Sequence, residues 1–167
     1  MIEIIFNNRP VEFLRPISWV NGITRMKSKG AFDHISARKD GLILESSAGK
    51  GVHKQLFDEW RKGREGTTIF IYSGIPDYAF DMDVFNMFLE KGTKYDYKAN
   101  VLYLLGMYKK LKKNNLERQF CSELIAHCIS EYMISKGFEK YKEPYLLTPV
   151  EIETDLRHLA TLRTETI

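Results

Sequence analysis

The sequence predicts an α+β fold with an antiparallel sheet packed against helices. Three observations carry this expectation. Short β-branched and aromatic runs lie mostly in the first half: IEIIF (2–6), FDHISA (32–37), LILES (42–46) and TTIFIYS (67–73). RKDG (38–41) separates the middle two, and Asp-Gly between strand-like runs signals a hairpin. The long periodic segments come mostly later, and strands segregated from helices favour α+β over alternating βαβ units.

In chain order, the apolar run at 2–6 predicts a strand. Pro16 suits a first helical position and opens PISWVNGITRM. After the hairpin, GKG (49–51) reads as a loop and KQLFDEWRKG (54–63) as an amphipathic helix closed by Gly63. The run at 67–73 predicts a buried strand, and DVFNMFLEKG (83–92) a helix ending at Gly92. A longer helix is expected over 97–113, stopped by Asn114 and Asn115, and another over 118–137, stopped by Gly137. PYLLTPVEIETDLR (144–157) holds a turn and a short helix from about Pro149. The tail reads as either a last strand or loose chain. With no repeat or linker, residues 1–167 are expected to form a single domain.

Composition narrows the function. Hydrophobic residues make up 44% of the 167 and charged ones 28%, with aromatics at 13%, which excludes general disorder. A net charge of +3 is too mild to imply a nucleic-acid partner. The longest apolar run, VLYLLGMY (101–108), is far short of the roughly 18 residues of a membrane span, so no transmembrane segment is expected. MIEIIF carries Glu3 and no basic residue ahead of its apolar run, unlike a signal peptide, so a cytoplasmic chain is expected. Two cysteines cannot build a disulfide framework. On one helix, Cys121 and Cys128 would lie about 10 Å apart along the axis, beyond the roughly 7 Å limit for a bridge. Both are expected to be free thiols.

Three side chains are candidates for chemistry. His34 and Glu45 lie on the two strands of the hairpin, and register decides whether they meet. With Lys39-Asp40 at the turn centre and Gly41 as a bulge, they face each other directly. An Asp40-Gly41 loop makes them diagonal on one face, and a symmetric three-residue loop puts them on opposite faces. A carboxylate beside an imidazole fixes its tautomer and stabilises its protonated form. The plain alternative is a surface His and Glu, although Phe32, Ile35 and Ala37 around His34 argue for partial cover. Cys121 falls in the first turn of the 118–137 helix, at the edge of an apolar face of Phe120, Leu124, Ile125, Cys128, Ile129 and Tyr132. A thiol at a helix N-terminus gains thiolate character, and a neighbouring imidazole adds to it. Its plain alternative is a small buried residue. Ser122-Glu123 suits a helix start, Cys128 reads as structural and His127 as solvated.

Other patterns carry less. His34, His53, His127 and the cysteines lack metal-ligand spacing, so no metal is expected. KKLKK (109–113) reads as a solvated helix end and AGKG (48–51) lacks the length of a phosphate loop. Tyr95 and Tyr97 are candidates for a cleft wall or for packing.

FDHISARKDGLILESSAGKGV, followed far downstream by QFCSELIAHC, resembles the circularly permuted papain-like hydrolases, the YiiX-like branch of the NlpC-type cysteine amidases and peptidases. The family places His on a strand, Glu on a hairpin partner followed by Gly-Val (Gly51-Val52 here), and the nucleophile in a late helix opening with FCSEL. KYDY (94–97) and LTPVEI (147–152) resemble weaker family features, so the likeness spans roughly residues 30–155. IEIIFNNRP matches the family's N-terminal phrase only loosely. The resemblance implies a papain-like, permuted NlpC-type fold, with Cys121 as nucleophile, His34 as general base and acid, and Glu45 orienting His34. It implies no cofactor and a peptide-, amide- or acyl-containing substrate. Peptidoglycan peptides come first, which would need another route to the cell wall. The alternatives are a lipid acyltransferase or phospholipase of the same fold and a non-catalytic interaction module.

Overall fold

The computed structural model describes residues 1–8, 32, 34–62, 64–98 and 117–167. The helices expected over 16–26 and 97–113, KKLKK included, lie outside them apart from Tyr97 and Lys98. The described elements are β1 (Ile2–Asn8), β2 (His34–Lys39), β3 (Leu42–Ser47), β4 (Gly51–Leu56), α1 (Phe57–Arg61), β5 (Thr68–Ile75), α2 (Met82–Glu90), β6 (Lys94–Tyr95), β7 (Arg118–Gln119), α3 (Cys121–Ser135), α4 (Pro149–Leu156) and β8 (Thr161–Thr166). Six strands form one sheet in the order β4-β3-β2-β1-β5-β8, and every neighbouring pair is antiparallel. β6 and β7 form a small parallel pair. The fold is therefore mixed α+β, with an antiparallel sheet packed against helices.

Local chemistry explains the hairpin. Asp40 and Gly41 both have positive φ, 51° and 77°, as a two-residue type I′ turn requires. Lys39 pairs with Leu42 and Arg38 with Ile43, which selects the Asp40-Gly41 loop among the three registers. β1 is apolar on both faces because both are covered. Ile4 and Phe6 join Ile35, Ala37, Leu44 and Tyr72 in the larger core, against Leu124, Ile125, Cys128, Ile129 and Met133 of α3. Ile5 joins Ile43, Ile69 and Ile71 on the other face, beneath Trp60 of α1.

The segment 54–63 departs from the expected helix. β4 occupies 51–56, and only Phe57–Arg61 is helical. Pairing with β3 outweighs the helical pattern: Val52 lies opposite Ser46, His53 opposite Glu45, and Gln55 opposite Ile43. The expected loop at 49–51 is a turn whose last residue begins that strand. Residues 118–119 are strand β7 rather than helix, so α3 begins at Cys121. The tail forms β8 as the sheet's edge strand. Asp81 caps α2 by accepting from the N–H groups of Asp83 and Val84. Thr148 caps α4 in a capping box with Glu151, and Pro149 takes the first helical position.

Candidate active site

His34 begins β2, and Glu45 sits near the end of β3 on the same sheet face, as the two-residue loop requires. The diagonal pair closes to 2.7 Å between His34 Nε2 and Glu45 Oε2. With Nε2 engaged, Nδ1 is the ring nitrogen left for another partner. The Cys121 side chain lies near enough to the same ring to act on it by charge. Burial pulls His34 toward the neutral form, but the Cys121 sulfur and then the Glu45 carboxylate outweigh it and raise the ring to about 10. His34 and Glu45 are thus hydrogen-bonded to each other, and Cys121 adds its charge to the same ring.

β7 and the start of α3 are tied to the sheet's end, which brings Cys121 to the side of the molecule that carries His34. Ser46 Oγ donates to Gln119 O at 2.6 Å, and Asp96 N–H donates to the same oxygen at 3.3 Å. Ser122 Oγ donates to Leu147 O at 2.8 Å, locking the first turn of α3 to the segment before α4. Cys121 is 5% exposed and Cys128 2%. Both thiols are free. Burial and then the charge of Asp81 push the Cys128 thiol well up, which suits a structural residue.

Glu45 has more partners than the sequence suggests. Its Oε2 accepts from Trp60 Nε1 at 3.0 Å as well as from His34, and its Oε1 accepts from Gln55 Nε2 at 3.0 Å. His53 Nε2 lies 3.2 Å from Oε1, an ion-pair distance outside hydrogen-bond angles, and Arg64 approaches the same oxygen at 3.8 Å. Burial alone would raise this carboxyl. The hydrogen bond and charge of His34, with His53 and Trp60, instead hold it well below the usual carboxylate range. The helical pattern of 54–63 hides His53, Gln55 and Trp60 from a reading of sequence alone. The signal present is the alternation of His53 and Gln55 after Gly51-Val52.

Two expectations change at α3. His127 is not solvated: it is half-buried with its ring 5.5 Å from Phe88, and burial lowers it to about 4. Glu123, expected as a favourable charge at the helix start, is buried. Burial raises its carboxyl, the Phe120 N–H at 3.5 Å opposes, and the Asp96 charge adds to the rise, leaving it at about 8. It is therefore largely uncharged at neutral pH and leaves the positive end of α3 for the sulfur. A carboxyl raised in the fold contributes stability below its ordinary 4.5, and that contribution is lost as pH rises through about 8. Glu123→Gln should stabilise the protein by on the order of 2 kcal/mol at pH 8 and far less at pH 4, as urea denaturation at both values would record.

Tyr95 and Tyr97 pack ring against ring at 5.1 Å, and Tyr97 Oη accepts from Gly49 N–H at 2.9 Å with half its surface exposed. Among the described residues no group of three or more His, Cys, Asp or Glu is placed to hold a metal ion, and no helix is long and apolar enough to cross a membrane. No known family model matches the chain, and no curated protein matches it.

Proposed function

We propose that this chain is a thiol hydrolase of papain-like, permuted NlpC-type architecture that cleaves an amide bond through Cys121, His34 and Glu45. The observation that supports this reading is the buried His34–Glu45 pair, 2.7 Å between Nε2 and Oε2, on whose ring the charge of Cys121 at the start of α3 also acts. An imidazole that Glu45 orients beside a cysteine can take the thiol proton, and the thiolate is the reactive form of a cysteine nucleophile.

The thiolate attacks the carbonyl carbon, a C–S bond forms, and the carbonyl oxygen takes the negative charge. Backbone N–H groups at the start of α3 stabilise that oxyanion. As the intermediate collapses, the C–N bond breaks and His34 Nδ1 gives its proton to the departing amine. Water then adds to the thioester while His34 takes a proton, and the acid leaves with Cys121 restored. Glu45 keeps Nδ1 directed at the sulfur throughout. Peptidoglycan peptides are the first substrate to test. No cofactor takes part.

The test is mass measurement of the intact protein after incubation with muropeptides and, separately, phospholipids. An acyl adduct on Cys121 from muropeptides, absent in Cys121→Ala and strongly reduced in His34→Ala, supports the reading. An adduct from phospholipids alone would move the assignment to lipid acyl transfer. Iodoacetamide labelling separates both from a non-catalytic module. The two thiols are almost equally buried, so selective labelling of Cys121 reports chemistry rather than access.

A further inference from the structure

Resting on that reading, we infer that His53 is a positioning residue that fixes the Glu45 carboxylate from the strand opposite, so that the site depends on a second histidine. His53 and Glu45 are directly opposed in the β3–β4 ladder, which places their side chains on one face. The His53 ring is only partly exposed and spans two acceptors. Nδ1 lies 3.0 Å from Gly51 O, and Nε2 lies 3.2 Å from Glu45 Oε1. A backbone carbonyl has no proton to give, so Nδ1 is the donor in that bond, and Nε2 attracts Glu45 Oε1 as the second N–H of a doubly protonated ring. Nε2 meets the one Glu45 oxygen that His34 does not use.

The arrangement links two parts of the molecule. Gly51 starts β4 against the segment before β6, where Val52 N–H donates to Thr93 O at 2.9 Å. The turn that carries the Tyr97–Gly49 bond is thus joined through one imidazole to the carboxylate that orients His34. Gln55 Nε2 holds the same oxygen from the next same-face position of β4. A carboxylate held on Oε1 by β4 cannot rotate about its terminal torsion without breaking the Oε2 bond to His34. The polar partners of the His53 ring are Gly51 O and Glu45, so it acts through Glu45.

Two substitutions separate this role from a structural one. The side-chain N–H of Asn superimposes on Nδ1, so His53→Asn keeps the bond to Gly51 O and loses the contact with Glu45. The N–H of Gln superimposes on Nε2, so His53→Gln does the reverse. The readout is the rate of Cys121 alkylation by iodoacetamide at pH 6, where an unassisted thiol is almost wholly protonated. Labelling of Cys128 reports any unfolded fraction, and rates are compared on the folded protein. His53→Asn is expected to slow Cys121 by about tenfold, the value of one partly buried ion-pair contact, while His53→Gln stays within about threefold of the parent. Equal rates in all three proteins, or a larger loss in His53→Gln than in His53→Asn, would overturn the inference. His34→Ala is the separate arm: if it leaves the rate unchanged, the reading of the site itself fails, whatever the His53 variants do.

Discussion

Glu45→Ala should cost the fold about 3–5 kcal/mol, the usual penalty for removing one partner of a buried charged group. Glu45 is 1% exposed, and its two oxygens accept from His34, Trp60 and Gln55. Alanine leaves each of those donors buried or part-buried without its acceptor. Total stabilities of domains this size are about 5–15 kcal/mol, so the variant should unfold at a much lower urea midpoint. Glu45→Gln is the informative companion. Its carbonyl can keep the bonds from His34 and Trp60, while its amide can donate to Gln55 once that side chain turns its own oxygen inward. The expected cost is about 1–2 kcal/mol. What Gln cannot keep is the negative charge that helps His34 retain its proton. The two variants should therefore differ in stability yet both lose rapid Cys121 alkylation at pH 6. A Glu45→Gln protein alkylated as fast as the parent would remove Glu45 from the chemistry.

The same group makes stability depend on pH. Glu45 is held below its ordinary value, so its contribution is present above about 4.5 and lost as pH falls. His34 is raised, so its contribution is whole below 6.5 and lost as pH rises through about 10. The cluster stabilises the fold most between those ordinary values, about 4.5 and 6.5. Urea midpoints of the parent should fall on both sides of that window, and in Glu45→Gln the acid-side fall should flatten.

What the sequence discloses of this site is set by local chemistry. Asp40-Gly41 admits few turn geometries, and the two-residue form places His34 and Glu45 on one face. Cys121 is legible as a first-turn residue of a helix, although that helix starts three residues later than its periodicity suggests. There Arg118 and Gln119 pair with Lys94 and Tyr95, a nonlocal contact that no window of sequence contains. For the same reason β4 is hidden: KQLFDEWRK has a helical stripe, and only pairing with β3 turns its first part into strand. The cost of that concealment falls on function, since His53, Gln55 and Trp60 lie in or beside the same stretch. Glu123 shows the other limit. Its residue type and position favour a charge at the helix start, but its carboxyl is governed by burial and by Asp96, which comes from a distant part of the chain.

Gly51→Ala should be the most damaging single-atom change outside the charged cluster. Gly51 has φ of 72°, in the left-handed region that costs an L-residue roughly 1–2 kcal/mol. Strain is the smaller part. A Cβ at Gly51 would lie 2.3 Å from Thr93 O and 3.0 Å from the Lys94 Cα. Both are backbone atoms, so no side chain can swing away. Relief requires β4 and the 93–95 segment to separate, which breaks the bond from Val52 N–H to Thr93 O. The movement would also disturb Gly51 O, the anchor of His53, and through it Glu45. The expected result is a loss of at least about 3 kcal/mol in urea denaturation, summing strain, overpacking and one hydrogen bond. Any folded fraction should show slowed Cys121 alkylation. Gly49 separates the two causes, because its φ of 86° is as unfavourable but a Cβ there would meet nothing within 4 Å. Gly49→Ala should therefore lose only the strain, about 1–2 kcal/mol, and keep the reactivity of Cys121. If the two alanine variants were equally stable, the close approach of β4 to Thr93 would not be what fixes a glycine at position 51.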